Sequence, residues 1–158
     1  LKGYVYDKEP LRDGESVKSG EHVETLITVE GKNNYEYLLF EDLKPAGFET
    51  VEMRSNESLY ARELKRGAVE RKFVAGKPVI EEPDFTGRQR WVYQELRDRK
   101  VALFLDKLPE GVWEIRYDLR AEVPGQFHAL PVLGHAMYVP EIRCNGAELG
   151  VKVAEAQP

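Results

Sequence analysis

Histidine, cysteine, serine and carboxylate side chains are the groups that could give this chain catalytic or metal-binding chemistry. Its three histidines are His22, His128 and His135, and the nearest two are seven residues apart. Zinc ligands from one turn or helix generally lie closer together in sequence. The histidines are therefore interpreted as polar residues of strands or loops, and no metal site is predicted.

The sequence also lacks a motif that would pair a catalytic nucleophile with a base. None of the four serines lies in the Gly-x-Ser-x-Gly turn that presents a hydrolase nucleophile. The stretch Glu81-Glu82-Pro83-Asp84 lacks the spaced oxygen ligands of a calcium loop, and no glycine-rich phosphate loop occurs. Most other carboxylates alternate with apolar residues, which is typical of a solvated face. The sequence thus predicts a protein that is not an enzyme and holds no cofactor.

Cys144 is the only cysteine, so the chain is not a disulfide-stapled scaffold. It precedes Asn145-Gly146, a dipeptide that favours a tight turn. Cys144 is interpreted as a small, partly buried residue at a strand end. A reactive thiol is the alternative.

The clearest structural signal lies between Gly111 and Val123, where apolar and charged residues alternate. Successive side chains of a β-strand point to opposite faces, so this pattern predicts one long strand with a buried and a solvated face. The apolar positions are Trp113, Ile115, Tyr117, Leu119, Ala121 and Val123, and the charged ones are Glu114, Arg116, Asp118, Arg120 and Glu122. Charges in such alternation exclude a parallel strand covered on both faces.

Tight-turn signals flank this strand. Leu108-Pro109-Glu110-Gly111 precedes it and Pro124-Gly125 follows it, both with proline ahead of glycine. Residues 101–106 and 127–131 also alternate. Together the three segments predict an antiparallel meander, which we expect to be the centre of the fold.

Similar patterns predict the remaining strands, at residues 3–7, 23–29, 35–40, 48–53, 91–96, 134–139 and 149–153, with a hairpin loop at 31–34. Pro140 is expected to end its strand or to lie on a sheet edge. Residues 54–90 predict one long irregular excursion that contains a short helix from Ser58 through Arg66. The predicted fold class is all-β: an antiparallel β-sandwich of the immunoglobulin or fibronectin-III type, with about eight or nine strands.

Length and charge fit one domain over residues 1–158, with a net charge of −5 and both signs interspersed. Without a basic block, nucleic acid is not expected as a partner. No apolar run approaches the ~20 residues of a membrane helix, so no membrane insertion by this segment is expected. Because the chain begins at Leu1, we expect a processed protein or a piece of a larger one, with any signal peptide or lipid anchor outside it.

Several motifs together resemble the C-terminal macroglobulin domain of bacterial alpha-2-macroglobulins. This is the tenth macroglobulin-like domain, the counterpart of the eukaryotic receptor-binding domain. The resemblance covers about residues 4–53 and 91–143, and it does not extend over residues 54–90. The motifs are Tyr37-Leu38-Leu39-Phe40-Glu41-Asp42-x-x-Pro45-Ala46-Gly47-Phe48, Tyr93-x-Glu95-Leu96-Arg97-Asp98, Leu119-Arg120-Ala121-Glu122-x-Pro124-Gly125-x-Phe127 and Ala136-Met137-Tyr138-x-Pro140-Glu141.

The resemblance implies a non-catalytic domain of a periplasmic or extracellular protease inhibitor. Family members are cleaved in a bait region and then change conformation, and many capture the protease through a Cys–Gln thioester in a separate domain. Cys144 has Ala147 at the thioester spacing, so this chain carries no thioester. By the resemblance, its partners are the thioester domain and neighbouring macroglobulin domains, with target proteases met indirectly. Its expected role is to stabilise or report the conformational state of the trap.

Aromatic residues beside charged strand ends are the candidate anchors of such an interface. They are Trp91, Tyr93 and Tyr138, with Arg97 beside them and His128 as a group that could sense pH. Packing in the core or at strand edges is the alternative for the three aromatic residues.

Two other functions compete with the inhibitor domain. One is a free-standing immunoglobulin- or fibronectin-like module for adhesion or carbohydrate binding, which an exposed aromatic platform on one sheet would favour. The sequence places its aromatic residues mostly at inward positions, which favours the inhibitor domain instead. The other is a small hydrolase, which lacks the convergent polar residues that it would need.

Overall fold

The fold consists of β-strands joined by turns and loops. A computed structural model of the protein describes residues 8–51, 58–65, 73–74, 77–78 and 83–156. Those ranges contain fourteen strands and no helix, which confirms the predicted all-β class. The strands are β1 Ser16–Lys18, β2 His22–Gly31, β3 Tyr35–Asp42, β4 Phe48–Thr50, β5 Leu59–Leu64, β6 Phe73–Val74, β7 Lys77–Pro78, β8 Phe85–Leu96, β9 Val101–Leu108, β10 Gly111–Ala121, β11 Gly125–Ala129, β12 Leu133–Ala136, β13 Val139–Asn145 and β14 Leu149–Ala154.

One continuous nine-stranded sheet forms most of the sandwich. Its strand order is β13-β12-β3-β9-β8-β5-β10-β2, and β4 pairs with β10 on the edge opposite β2, beyond the residues that pair with β5. β8 belongs to both layers, because Val92 pairs with Leu59 of β5 and Tyr93 pairs with Phe104 of β9. A second sheet has the order β1-β14-β11, in which β1 runs parallel to β14. A two-stranded sheet pairs β6 with β7.

The core lies between the layers and is formed by the inward-facing side chains of the central strands. β10 contributes the alternating set Trp113, Ile115, Tyr117, Leu119 and Ala121, all buried, as its sequence pattern predicts. The opposite layer contributes the buried side chains Leu38, Phe40, Val101, Leu103 and Leu105. Each fully buried side chain of this size contributes about 1.5–3 kcal/mol by leaving water. The strand ends earlier than predicted, because Val123 lies beyond it and is exposed.

The predicted three-strand meander is wrong. β9 pairs with β3 and β8, β10 pairs with β2, β4 and β5, and β11 pairs with β14. The turn after Leu108 therefore carries the chain from one layer to the other, and the indole Nε1 of Trp113 donates a hydrogen bond of 2.8 Å to the Pro109 carbonyl there. The predicted hairpin at residues 31–34 is wrong for the same reason, since β2 and β3 lie in different layers. Alternation shows which face of a strand is buried but not which strand it pairs with.

The predicted helix from Ser58 through Arg66 is also wrong, since residues 59–64 form strand β5. β5 lies between β8 and β10, and pairing on both sides outweighs the helical spacing of Tyr60 and Leu64. Leu59 and Ala61 alternate inward as a strand requires, but the next inward residue is Glu63, which hid the pattern. The irregular excursion thus contains β5, β6, β7 and the start of β8. β8 begins at Phe85, earlier than the predicted 91–96.

The predicted strand at residues 134–139 is two strands. β12 ends at Ala136, a turn follows at Met137 and Tyr138, and β13 returns beside β12. Pro140 lies in β13, the last strand of the sheet, which confirms the expected edge position. The strands predicted at 23–29, 35–40, 127–131 and 149–153, and the first part of 48–53, are confirmed as β2, β3, β11, β14 and β4. The strand predicted at 3–7 lies outside the described residues.

A polar cluster closes one end of the core. The Glu63 carboxylate is buried and accepts hydrogen bonds from Thr86 Oγ1 at 2.7 Å and Arg88 Nη1 at 3.1 Å. The Arg88 guanidinium lies 5.5 Å from the Trp113 ring. Gly111, with φ +146°, places its backbone so close that an added Cβ would lie 2.7 Å from Glu63 Oε1. Only glycine therefore fits at the start of β10.

A second buried polar pair, Asp42 and Tyr117, joins the two layers. The Tyr117 hydroxyl donates a hydrogen bond to Asp42 Oδ2, and both residues are buried. Burial raises the pKa of Asp42 above its ordinary 3.8, and the bond from Tyr117 offsets part of that rise. Burial, and then the charge of Asp42, raise the pKa of Tyr117. The carboxylate of Asp42 is thus held in a site that favours its protonated form.

Truncation of Leu103 tests the position of the core. We expect Leu103→Ala to lower the free energy of unfolding by about 2–5 kcal/mol, because a fully buried side chain leaves a cavity. Leu130→Ala, at an exposed loop position, is the matched control and should change it by less than about 0.5 kcal/mol. Urea unfolding followed by circular dichroism measures both. Equal effects would contradict the sandwich core described above.

The raised pKa of Asp42 predicts a pH dependence of stability. Between the unfolded pKa of 3.8 and the higher folded pKa, the folded state binds more protons, so its stability falls as pH rises through that window. Asp42→Asn removes this titration and should flatten the slope of melting temperature against pH. Asp118 also has a raised pKa, chiefly from burial and then from Glu24, so some slope should remain. The control is Asp98→Asn, which removes an exposed carboxylate and leaves the Asp42–Tyr117 pair intact, and Asp42→Asn should flatten the slope more than this control does.

Candidate functional site: two exposed aromatic surfaces

Several aromatic residues lie on the outside of this protein. Among those described, the buried ones are Phe40, Phe48, Trp113 and Tyr117, the half-buried ones are Tyr35, Phe85, Phe104 and Phe127, and the exposed ones are Tyr37, Tyr60, Trp91, Tyr93 and Tyr138. The expectation of mostly inward aromatic residues does not apply to these five. Exposed rings carry a hydration cost that binding a partner removes. They form two separate surfaces.

The first surface is the aromatic platform, defined by Tyr60, Trp91 and Tyr93. Trp91 pairs across strands with Tyr60, and Tyr93 lies two residues along β8, so all three side chains share the outer face. The rings of Trp91 and Tyr93 have centroids 6.0 Å apart at an interplanar angle of 58°. Trp91 is 56% exposed and Tyr93 is 51% exposed. Val92, between them, points into the core.

Neighbouring strands support the platform from one side. Tyr93 pairs with Phe104 of β9, and their ring centroids are 5.9 Å apart. Phe104 in turn pairs with Leu39 of β3, and Leu39 pairs with His135 of β12. The row is therefore fixed by sheet register, and Tyr93 has little freedom to fold back onto the protein.

A polar pocket of about 280 Å³ adjoins the platform on its other side. It lies on the outer faces of β5, β8 and β10, and Tyr60 belongs to both the pocket and the platform. Its other lining residues are Ser58, Arg62, Gln89, Glu114 and Arg116. Glu114 is 3% exposed and accepts a hydrogen bond from Arg116 Nε, whose guanidinium also approaches Glu24. Arg62 lies over the Phe85 ring at 3.5 Å.

The second surface is the exposed hairpin, residues 133–145, formed by β12 and β13. Every residue of β13 is exposed, and Tyr138 at the turn is 75% exposed. The Tyr138 ring meets the Tyr37 ring edge-on, with centroids 5.1 Å apart. Tyr37 has φ 54°, a left-handed conformation that is strained for a bulky residue, and its carbonyl accepts a 2.8 Å hydrogen bond from the Met137 amide. This hydrogen bond and the ring contact with Tyr138 hold Tyr37 in its left-handed conformation.

The predicted interface residues fall into three places. Trp91 and Tyr93 lie together, and Arg97 follows at the end of β8, where it pairs with Glu95 at 2.9 Å. Tyr138 lies on the exposed hairpin. His128 lies in the smaller sheet, on β11, where its Nδ1 meets the Glu148 carboxylate. The structure therefore brings together Trp91 and Tyr93, while Arg97 follows after the end of the same strand and Tyr138 and His128 lie elsewhere.

The sequence patterns do not single out the pocket residues. The charges of β10 predict a solvated face, and Arg62 and Gln89 lie in the segment whose pattern predicts an irregular excursion. The alternation of Tyr60 and Arg62 with Leu59 and Ala61 is the signal that could have found them.

The histidines and the cysteine are the remaining candidates for metal or thiol chemistry. His22, His128 and His135 lie on three different strands. Within the described ranges, no group of three His, Cys, Asp or Glu side chains could hold a metal ion. Cys144 is exposed, which corrects the expectation of partial burial, because β13 is an edge strand covered by β12 on one side alone. In the same part of the chain, no helix has the length and apolar character to cross a bilayer.

Known proteins that resemble this chain are bacterial alpha-2-macroglobulins. The model of the bacterial alpha-2-macroglobulin MG10 domain matches residues 3–141, so the chain belongs to that family of macroglobulin domains. Among curated proteins, none matches the chain.

Three solved structures show the same fold. Salmonella alpha-2-macroglobulin reacted with methylamine is similar over 86% of this chain and 8% of its own, with 21% identity and a TM-score of 0.57. Escherichia coli alpha-2-macroglobulin activated by porcine elastase is similar over 86% and 11%, with 22% identity and a TM-score of 0.57. The native Escherichia coli protein from domain MG7 to the C-terminus is similar over 87% and 20%, with 23% identity and a TM-score of 0.56. The chain thus spans a fifth or less of these proteins.

The different burial of the two tryptophans predicts a fluorescence result. Trp113 is fully buried and Trp91 is about half exposed, so acrylamide should quench one part of the emission strongly and leave the rest. Trp91→Phe should remove the quenchable part and shift the remaining emission to shorter wavelength. If instead the emission of the Trp91→Phe variant is as quenchable as that of the unchanged protein, the platform is not open to solvent.

Proposed function

We propose that this chain is the non-catalytic C-terminal domain of a bacterial alpha-2-macroglobulin-type protease inhibitor. In this role it packs against the thioester domain and stabilises or reports the conformational state of the trap. The family match over residues 3–141 supports the proposal, as does the likeness to structures of much longer chains. Its partners are then the thioester domain and neighbouring macroglobulin domains, and it meets target proteases indirectly. The family also supports a periplasmic or extracellular location.

The exposed hairpin is the surface that we assign to this contact. Among the described strands, β13 pairs with β12 alone, so its other edge can pair with a neighbour. Large apolar side chains are exposed on it, namely Leu133, Met137, Tyr138, Val139 and Ile142. Interface cores are depleted of charge and enriched in tyrosine and methionine, as here.

The strained backbone of Tyr37 is the observation that carries this assignment. A left-handed tyrosine costs of order 1–3 kcal/mol and persists where the surroundings hold it. Here it places the Tyr37 ring against Tyr138 and fixes the tip of the hairpin. A rigid aromatic tip binds a neighbour with little loss of conformational entropy. Trp91, Tyr93 and Arg97 lie on another surface, and His128 on a third.

Trapping by the parent inhibitor tests the proposal. Mixed with a broad-specificity protease, the parent should shield the protease from a large inhibitor, and deletion of residues 1–158 should abolish trapping or trigger it without cleavage. Tyr138→Ala and Ile142→Asp should shift trapping in the same direction as the deletion, because they weaken the hairpin contact. Leu26→Ala, exposed on β2 away from the hairpin, is the control and should trap normally. If the deleted form traps as well as the intact one, the proposed function is wrong.

A further inference from the structure

We propose that the aromatic platform and the adjoining pocket form a binding site for a neutral polysaccharide. The site is separate from the hairpin assigned to domain packing, and it rests on different residues. The platform supplies two half-exposed rings on one sheet face, and the pocket supplies planar polar groups beside them.

The rings are suited to stack on sugars. A pyranose presents a face of C–H groups, which is favourable against the negative face of an aromatic ring. Trp91 and Tyr93 lie 6.0 Å apart along β8, a separation comparable with the length of one hexose unit, so successive units of a chain can rest on successive rings.

The pocket supplies the hydrogen bonds that sugar hydroxyls require. The amide of Gln89 and the hydroxyl of Ser58 can both donate and accept, and the Glu114 carboxylate accepts. Hydroxyl groups need both functions in one site, and specific ligand pockets combine an apolar wall with a few placed polar groups. Tyr60 forms that wall and joins the pocket to the platform.

Charge in the pocket favours a neutral ligand. Glu114 is paired with Arg116, Arg116 also approaches Glu24, and Arg62 lies over the Phe85 ring. The lining thus has two guanidinium groups and one carboxylate, and Glu24 beside Arg116 supplies a second carboxylate, so these four charges cancel.

Binding to soluble oligosaccharides tests the site. The protein is titrated with cellohexaose, chitohexaose and a galacturonate hexamer, and binding is followed by tryptophan emission and calorimetry. We expect at least one of the two neutral oligomers to bind and to change the emission of Trp91. Trp91→Ala and Tyr60→Ala should weaken that binding about tenfold or more, since each removes a ring and its apolar area. Gln89→Ala should weaken it less.

Tyr138→Ala is the matched control, because it removes an exposed ring from the other surface and should bind sugar normally. Circular dichroism and melting temperature establish that each variant folds. Absence of binding by both neutral oligomers, or equal binding by Trp91→Ala, would overturn the proposal. Binding of the galacturonate hexamer alone would overturn the neutral preference. Loss of trapping by a parent inhibitor that carries Trp91→Ala, without sugar binding by the intact protein, would instead make the platform a protein contact.

Discussion

The pairing of strand β8 with both layers is the constraint on which the rest of the structure depends. Its first part pairs with β5 and its last part with β9, so one strand connects the two halves of the sandwich. Val92 then points into the core, and Trp91 and Tyr93 are forced outward on either side of it. The same register places Tyr60 beside Trp91 and Phe104 beside Tyr93. The platform is thus a consequence of closing the core.

Much of the fold could be predicted from the sequence, because a strand with one buried face has an apolar residue at every second position. β2, β10 and β14 show this alternation, and all three were predicted. The alternation does not reveal which strands pair, since a tight turn can either reverse a strand or carry it to the other layer. The prediction for β5 fails for a different reason. Its inward Glu63 loses contact with water, and hydrogen bonds from Thr86 and Arg88 offset that desolvation cost. A local sequence pattern cannot show those distant partners.

The candidate surfaces were predicted only in part. Trp91, Tyr93 and Tyr138 stand out as aromatic residues beside charges, but their exposure depends on which neighbours cover them. Glu114 is an example of the opposite error, in which a residue expected to be exposed is buried. Alternation predicts a solvated carboxylate, and the structure buries it beside Arg116. A charge on the outer face becomes part of a pocket when long side chains from adjacent strands surround it. Sequence spacing within one strand cannot show which side chains of adjacent strands surround a residue.

The two surfaces differ in how they are held, and this difference separates their roles. The hairpin lies at the edge of the sheet, where β13 pairs with β12 alone among the described strands and the strained backbone of Tyr37 in β3 holds its ring against Tyr138. Such an edge offers a neighbouring domain backbone groups to pair with and a rigid aromatic tip to pack against. The platform lies on strands in the interior of the sheet, and its rings follow one another along β8 and across to β5. A row of rings on one sheet face suits a ligand with repeating units, whereas an edge strand with an aromatic tip suits one docked domain.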